Sequence, residues 1–278
     1  MRSMLAIAVC SAWAILPARD TVIRPFQASP AASVAQDLGI SSVKIDYHRP
    51  AVKGRKIWDG LVPFGQVWRA GANEATTIAL SEPVRVEGRD LAAGTYSFFA
   101  IPGPEQWTLI FNRVARQWGA FSYQPAQDAL RVQAKPRPAP AQEYLAYTIQ
   151  VTGPDSLRVD LAWDTLAVGF DLALAAHDRY WDYLQKTLAG AGPEAWQALN
   201  QGAAYCLQSD THLDQGMAWI DRSIAIKEGY RNLSLKAQLM KRAGRTDEAR
   251  ALLEQALAAG PPKQALDELK ELQAQWAR

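Results

Sequence analysis

The residues best equipped for chemistry crowd into one stretch, Tyr47 to Thr77, which reads YHRPAVKGRKIWDGLVPFGQVWRAGANEATT. Arg49, Lys53, Arg55, Lys56 and Arg69 stand there among Trp58, Phe64 and Trp68, with Asn73 and Glu74 close behind. A guanidinium is a planar fork of donors that matches a carboxylate or phosphate at two points. Arg49, Lys53, Arg55 and Arg69 could therefore converge on an anion. The same cations could instead pair with Asp46, Asp59, Glu74 and Asp128 and hold a long loop on its scaffold. Trp58, Trp68, Trp118 and Tyr123 offer flat apolar faces, either for a sugar ring or for packing between sheets. Gly71 permits an unusual backbone angle or a close backbone approach, which would set Asn73 and Glu74 on a turn. Glu74 or Asp46 would serve as a general acid or base if burial raised its pKa. Asp46, His48 and Glu74 form a further set that folding could assemble. The expected ligand-binding residues of loop 49–77 are Arg49, Lys53, Arg55, Trp68, Arg69, Asn73 and Glu74, for a small anionic or carbohydrate-like ligand.

Several reaction classes leave no trace. There is no GxSxG elbow, P-loop, GxGxxG or HExxH. The three histidines lie far apart without metal-ligand spacing, so neither a metal nor a cofactor is expected. A pair of carboxylates flanking a cleft, as in glycoside hydrolysis, stays compatible with the sequence.

The stretch needs a scaffold, because its Gly and Pro positions rule out one long helix or strand. Val43, Ile45 and Tyr47 alternate with polar neighbours, which is a strand with one buried face. Similar runs follow at Thr76–Leu80, Val84–Gly88, Thr95–Ile101, Trp107–Phe111, Ala129–Ala134, Tyr144–Val151, Leu157–Trp163 and Leu166–Leu172. About nine short strands with Gly/Pro turns predict an antiparallel β-sandwich or barrel-like domain over 28–174. Residues 19–41 read as an extended approach to the first strand, and Lys135–Pro140 as a loop.

Near Ala175 the apolar spacing becomes helical, and breaks at Gly190–Pro193, Ser209–Asp210, Gly229, Gly244 and Gly260–Pro262 divide 175–278 into roughly six helices. Pro193 is placed to open the second. Ala204, Gly216 and Ser223 recur 33 positions later as Ala237, Ala249 and Ala256. Small residues there would let paired helices approach closely, and Asn232–Pro261 resembles a tetratricopeptide repeat. The fold class is thus α+β in two domains, the second all-α and tetratricopeptide-like, offering a surface for a protein partner or self-association.

The chain has 278 residues, 49% hydrophobic and 21% charged, with a formal net charge of +2. That balance gives no footprint for nucleic acid, and no run of basic residues marks an anionic membrane surface. Arg2, an apolar run from Met4 to Leu16, and Pro17-Ala18 resemble a signal peptide over 1–18, followed by a linker at 19–27. The run is short for a membrane span, so the mature chain is expected to have none and to be periplasmic or secreted. Val9 before Cys10 fits a lipoprotein box poorly, so no lipid anchor is expected. Cys206 falls in a helical apolar pattern and reads as a buried small hydrophobe.

Residues 29–151 resemble the bacterial domain-of-unknown-function family numbered 2911. The resemblance rests on Ser29-Pro30, Tyr47, Arg49-Pro50, VKGRKIW (52–58), LVPFGQVWRAGANEAT (61–76), LAAGTYSFFAIP (91–102), WTLIFN (107–112), Trp118-Gly119, Tyr123 and Asp128. It implies an exported bacterial protein with a β-rich domain, and it implies no activity. The function expected from residues and resemblance together is a cell-envelope binding protein. The alternatives are an envelope hydrolase using Glu74 or Asp46, and a scaffold acting through its helices.

Overall fold

Alternating burial along the chain builds ten strands in two antiparallel sheets, followed by six helices. The computed structural model describes residues 26–277. The expected leader at 1–18, Cys10 and most of the linker at 19–27 lie outside the described residues.

The first sheet holds six strands, β1 (Ala31–Leu38), β2 (Ser41–His48), β3 (Thr76–Leu80), β6 (Gly94–Ile101), β7 (Trp107–Asn112) and β8 (Asp128–Ala134), in that spatial order. The second holds β5 (Arg89–Leu91), β4 (Val84–Val86), β10 (Ser156–Ala173) and β9 (Arg137–Gly153), in that order. The two sheets face each other and close no barrel. Their inner faces share one core, in which Val43, Ile45, Phe98, Phe111, Val159 and Phe170 are buried.

Three sequence expectations need correction. Residues 31–38 are a full strand, paired with β2 from Ala31↔His48 to Leu38↔Ser41. Its alanines and half-exposed positions give too weak an alternation to read as a strand. Leu157–Trp163 and Leu166–Leu172 form one strand, β10, with register shifts around Asp164. A β-bulge resets the alternation, which is why one strand reads as two. Arg137–Pro140 belongs to β9, where Pro138 pairs with Leu166. Proline is tolerated there because β9 ends its sheet and needs no donor on its outer side.

The long stretch after β2 plugs the sandwich. Ala51 bridges Tyr144 of β9, and Trp68 bridges Ala100 of β6. Trp58 and Trp68 enter the core and meet Trp107 of β7 and Trp163 of β10. Trp58 touches all three partners, at ring separations of 5.8, 4.8 and 5.9 Å and steep angles. Trp68 and Trp163 stack at 6.0 Å. The Nε1 groups of Trp58 and Trp107 are buried without a hydrogen-bond partner among the described residues. The indole faces around them are the electron-rich surfaces available instead.

The helices are α1 (Ala176–Ala189), α2 (Trp196–Ser209), α3 (Leu213–Ile226), α4 (Tyr230–Arg242), α5 (Thr246–Ala258) and α6 (Lys263–Trp276). Pro193 lies in the turn before α2 and does not open the helix itself. Leu188, Leu199, Cys206, Trp219 and Leu239 bury one cluster, and Leu233, Ala237, Leu253, Ala256 and Leu269 the next. The recurring small residues do allow close approach. A side chain on Gly216 would begin 2.8 Å from Cys206 Cβ, and Ala237, Ala249 and Ala256 are fully buried. Burial pushes the Cys206 thiol up to about 11, as befits an inert core residue. At the junction with the sandwich, His177 donates its backbone N–H to Asp155 Oδ1 at 3.0 Å, and its ring Nδ1 lies 3.1 Å from the same oxygen.

Truncating a buried indole removes apolar contact and leaves a cavity. Trp107→Ala should cost about 3–5 kcal/mol of unfolding free energy, read from urea denaturation with an unchanged slope.

Candidate functional site

Loop 49–77 divides into two halves with different duties. In the first half the arginines are spent on scaffolding. Arg49 Nε donates to the Leu145 carbonyl at 2.8 Å, and its guanidinium lies 5.9 Å from the Tyr144 ring centre. Lys53 is exposed, and its backbone N–H donates to Glu143 Oε1 at 2.9 Å. Arg55 donates from Nε to the Val52 carbonyl at 3.0 Å and from Nη2 to the Ala51 carbonyl. These three residues fasten the chain to β9 or to itself and share no partner with Arg69. Trp68 is core, with Nε1 donating to the Gly71 carbonyl at 3.2 Å, so it offers no open platform.

The second half turns toward the outer face of the six-stranded sheet. Ala70 and Asn73 take left-handed backbone angles, φ 50° and 55°. Gly71 keeps an ordinary φ but has no room for a side chain, because a Cβ there would lie 2.8 Å from Thr76 Oγ1. Close approach is therefore what requires glycine at 71. Thr76 Oγ1 and the Tyr147 hydroxyl both donate to the Ala70 carbonyl, at 3.0 and 2.7 Å, and pin the turn. Arg69 is half-buried, its Nε has no partner among the described residues, and desolvation holds its pKa below the ordinary value. Asn73 Nδ2 donates to Gln27 Oε1 and the Ser29 carbonyl, both at 3.3 Å, so it fastens the start of the described chain.

Glu74 then enters a small ladder. It bridges Trp118, the Ala75 N–H donates to the Gln117 carbonyl at 3.0 Å, and the Gly119 N–H donates to the Asn73 carbonyl at 3.1 Å. Glu74 Oε2 lies 3.4 Å from His48 Nδ1, with the Glu74 side chain 51% exposed. Asp46 sits two positions earlier on the same strand face as His48 and pairs with Lys44 at 2.9 Å. Folding thus assembles Asp46, His48 and Glu74, while Arg49, Lys53, Arg55 and Trp68 lie apart from them. Glu74 stands between two open clefts of about 460 and 420 Å³. Ser33, Asp46, His48 and Thr77 line the first, and Thr77, Arg116, Gln117 and Trp118 the second.

Trp118 is 58% exposed yet held in place. Asn112 Oδ1 accepts from the Val114 N–H at 3.1 Å and from Gln117 Nε2 at 3.3 Å. Asn112 Nδ2 donates to Asp128 Oδ1 at 2.8 Å. The Tyr123 hydroxyl donates to Asp128 Oδ2 at 2.7 Å and accepts from Arg131 at 2.6 Å. Tyr123, read as a platform candidate, is instead a post that packs on Phe99 at 5.1 Å and anchors the loop carrying Trp118. Sequence reasoning missed Ser33, Thr77, Arg116 and Gln117, since nothing in their types marks a site. The resemblance to Trp118-Gly119, Tyr123 and Asp128 was the available signal.

Glu74 and Thr77 are shared by two neighbouring clefts, one bearing the His48 imidazole and the other the Trp118 indole, and these groups suit a hydroxyl-rich ligand, which both donates to carboxylates and packs C–H groups on an aromatic. Among the described residues no group of three or more His, Cys, Asp or Glu is placed to hold a metal ion.

An antiparallel sandwich bearing these motifs matches the family described as "Protein of unknown function (DUF2911)" over residues 29–172, just over half of the chain. The chain belongs to that family, and the match extends the resemblance seen in residues 29–151 through most of β10. No curated protein and no solved structure matches it.

Burial and the Asp128 hydrogen bond push the Tyr123 phenol up from 10 to about 12. The neutral phenol therefore stabilises the fold below pH 10, and that contribution is lost as pH rises through about 12. Tyr123→Phe should remove one late-titrating phenol from the alkaline absorbance titration and flatten part of the stability loss in that window.

Proposed function

We propose that this chain is an exported binding protein of the bacterial cell envelope, with a carbohydrate-like ligand held beside Glu74. The observation that carries the reading is Trp118, an exposed indole fixed by ladder bonds on the wall of a cleft that also carries Glu74 and Thr77. A rigid aromatic face loses little entropy when it packs on a ligand. Glu74 lines both clefts and Asp46 the first, which favours hydroxyl donors, while Arg116 lines the second. Arg49 and Arg55, which would have favoured an anion, are tied to backbone carbonyls. The leader-like sequence at 1–18 supports export. The helices supply the surface for a protein partner or a second copy, and among the described residues none is long and apolar enough to cross a membrane.

A second reading has one specific observation in its favour. The His48–Glu74 contact is the arrangement in which a carboxylate orients an imidazole for proton transfer, so an envelope hydrolase remains the rival.

Calorimetric titration with a panel of cell-wall oligosaccharide fragments tests both readings. Trp118→Ala should weaken binding about thirtyfold without moving the unfolding midpoint, and Arg55→Ala should lower the midpoint while leaving binding unchanged. Equal binding by Trp118→Ala, or silence across the panel, removes the carbohydrate reading. Product formation that disappears in Glu74→Gln while binding persists would select the hydrolase.

A further inference from the structure

We propose that the loop 113–123 is an interfacial wedge that seats the sandwich on an anionic lipid surface. The loop runs Arg113-Val114-Ala115-Arg116-Gln117-Trp118-Gly119-Ala120-Phe121-Ser122-Tyr123. Val114, Trp118 and Phe121 are all exposed, Phe121 at 85%. The Phe121 ring passes close over Gly119. Gly119 has φ +63°, and a side chain there would begin 2.8 Å from the Phe121 ring. The ring therefore rests on bare backbone and faces outward. Below it, the Asn112–Asp128–Tyr123–Arg131 bonds hold both ends of the loop.

Cations gather around the base of this tip from three segments. Arg113 and Arg116 are exposed on the loop itself, and Arg113 Nη1 donates to the Asp128 carbonyl at 2.8 Å. Arg131 is exposed on β8, and Arg89 of β5 donates to the Arg131 carbonyl at 2.6 Å. Asp128 is the only acidic residue between Glu105 and Glu143, and its carboxylate is taken up by Asn112, Tyr123 and Arg131. No basic run announces this patch in the sequence. The fold makes it by bringing separate strands together.

Exposed aromatics beside Arg113, Arg116, Arg131 and Arg89 match the two layers of a lipid surface. Indole and phenyl groups partition into the interfacial zone, and the guanidinium groups meet anionic headgroups. Phe121 lines neither cleft beside Glu74, so it projects from the sandwich without a concave seat. A fluid bilayer conforms to such a tip, whereas a folded partner would need a matching hollow. The wedge shares Trp118 and Arg116 with the second cleft, and Phe121, which lines neither cleft, is the residue that tests it separately.

The test is co-sedimentation of the full chain with mixed phosphatidylglycerol–phosphatidylcholine vesicles, and with pure phosphatidylcholine vesicles as the neutral probe. The wild type should bind the anionic vesicles, release them as salt rises, and bind neutral vesicles weakly. Phe121→Asp should cut partitioning about tenfold or more, with an unchanged circular dichroism spectrum and unfolding midpoint. Arg113→Gln combined with Arg116→Gln should cut it about thirtyfold. Failure of the wild type to bind anionic vesicles overturns the proposal, as does salt-insensitive binding or full binding by Phe121→Asp. Sedimentation without vesicles would also overturn it, by marking the patch as a contact between copies. The wild-type salt series requires no variant to fold.

Discussion

The structure depends on the meeting of four indoles between two sheets. Trp107 comes from one sheet, Trp163 from the other, and Trp58 and Trp68 from the loop that plugs the gap. Aromatic rings bury large areas with few torsions to freeze, so this contact fixes the loop at little entropic cost. Once Trp58 and Trp68 are seated, the chain between and beyond them has few ways to run. The turn at Ala70–Asn73 is then held from below by Tyr147 and Thr76, and Glu74 emerges at one place on the outer face.

This explains why the loop separates into a scaffold and a site. Its first half closes against β9 through Arg49, which donates to the Leu145 carbonyl, while Arg55 ties the loop to itself at Ala51 and Val52. Its second half buries Trp68 and Ala70 and ends on Glu74, whose side chain is half-exposed. Arg69 falls between the two, with a buried Nε that nothing described satisfies. A buried Nε without a partner costs stability, so Arg69 is the one cation of the loop that weakens the scaffold it sits on.

Much of the fold was legible because alternation and helical spacing report burial directly. Val43, Ile45 and Tyr47 announce β2, and Leu184, Leu188 and Leu199 announce helices, since each pattern has one wet face. Ala31–Leu38 failed that test because its alternation is between half-exposed and exposed positions. The site was legible only in part. Glu74, Asp46 and His48 could be named as a set, but Arg49 and Arg55 looked equally chemical. Whether a guanidinium meets a ligand or a carbonyl depends on which strand lies opposite, and that is a long-range pairing. Tyr123 misled for the same reason, since its partners Asp128 and Arg131 are visible in the sequence but their geometry is not.

The prolines at the start of β9 have a consequence for the company the molecule keeps. A sheet's outermost strand presents a row of free amides that invites another chain to add itself. Pro138 and Pro140 have no amide hydrogen to offer, and farther along, Ala51 occupies the rim opposite Tyr144. The longest hairpin of the fold, which would otherwise be a template for runaway strand addition, is blunted at those positions. Crowded molecules can then pass one another without zipping together.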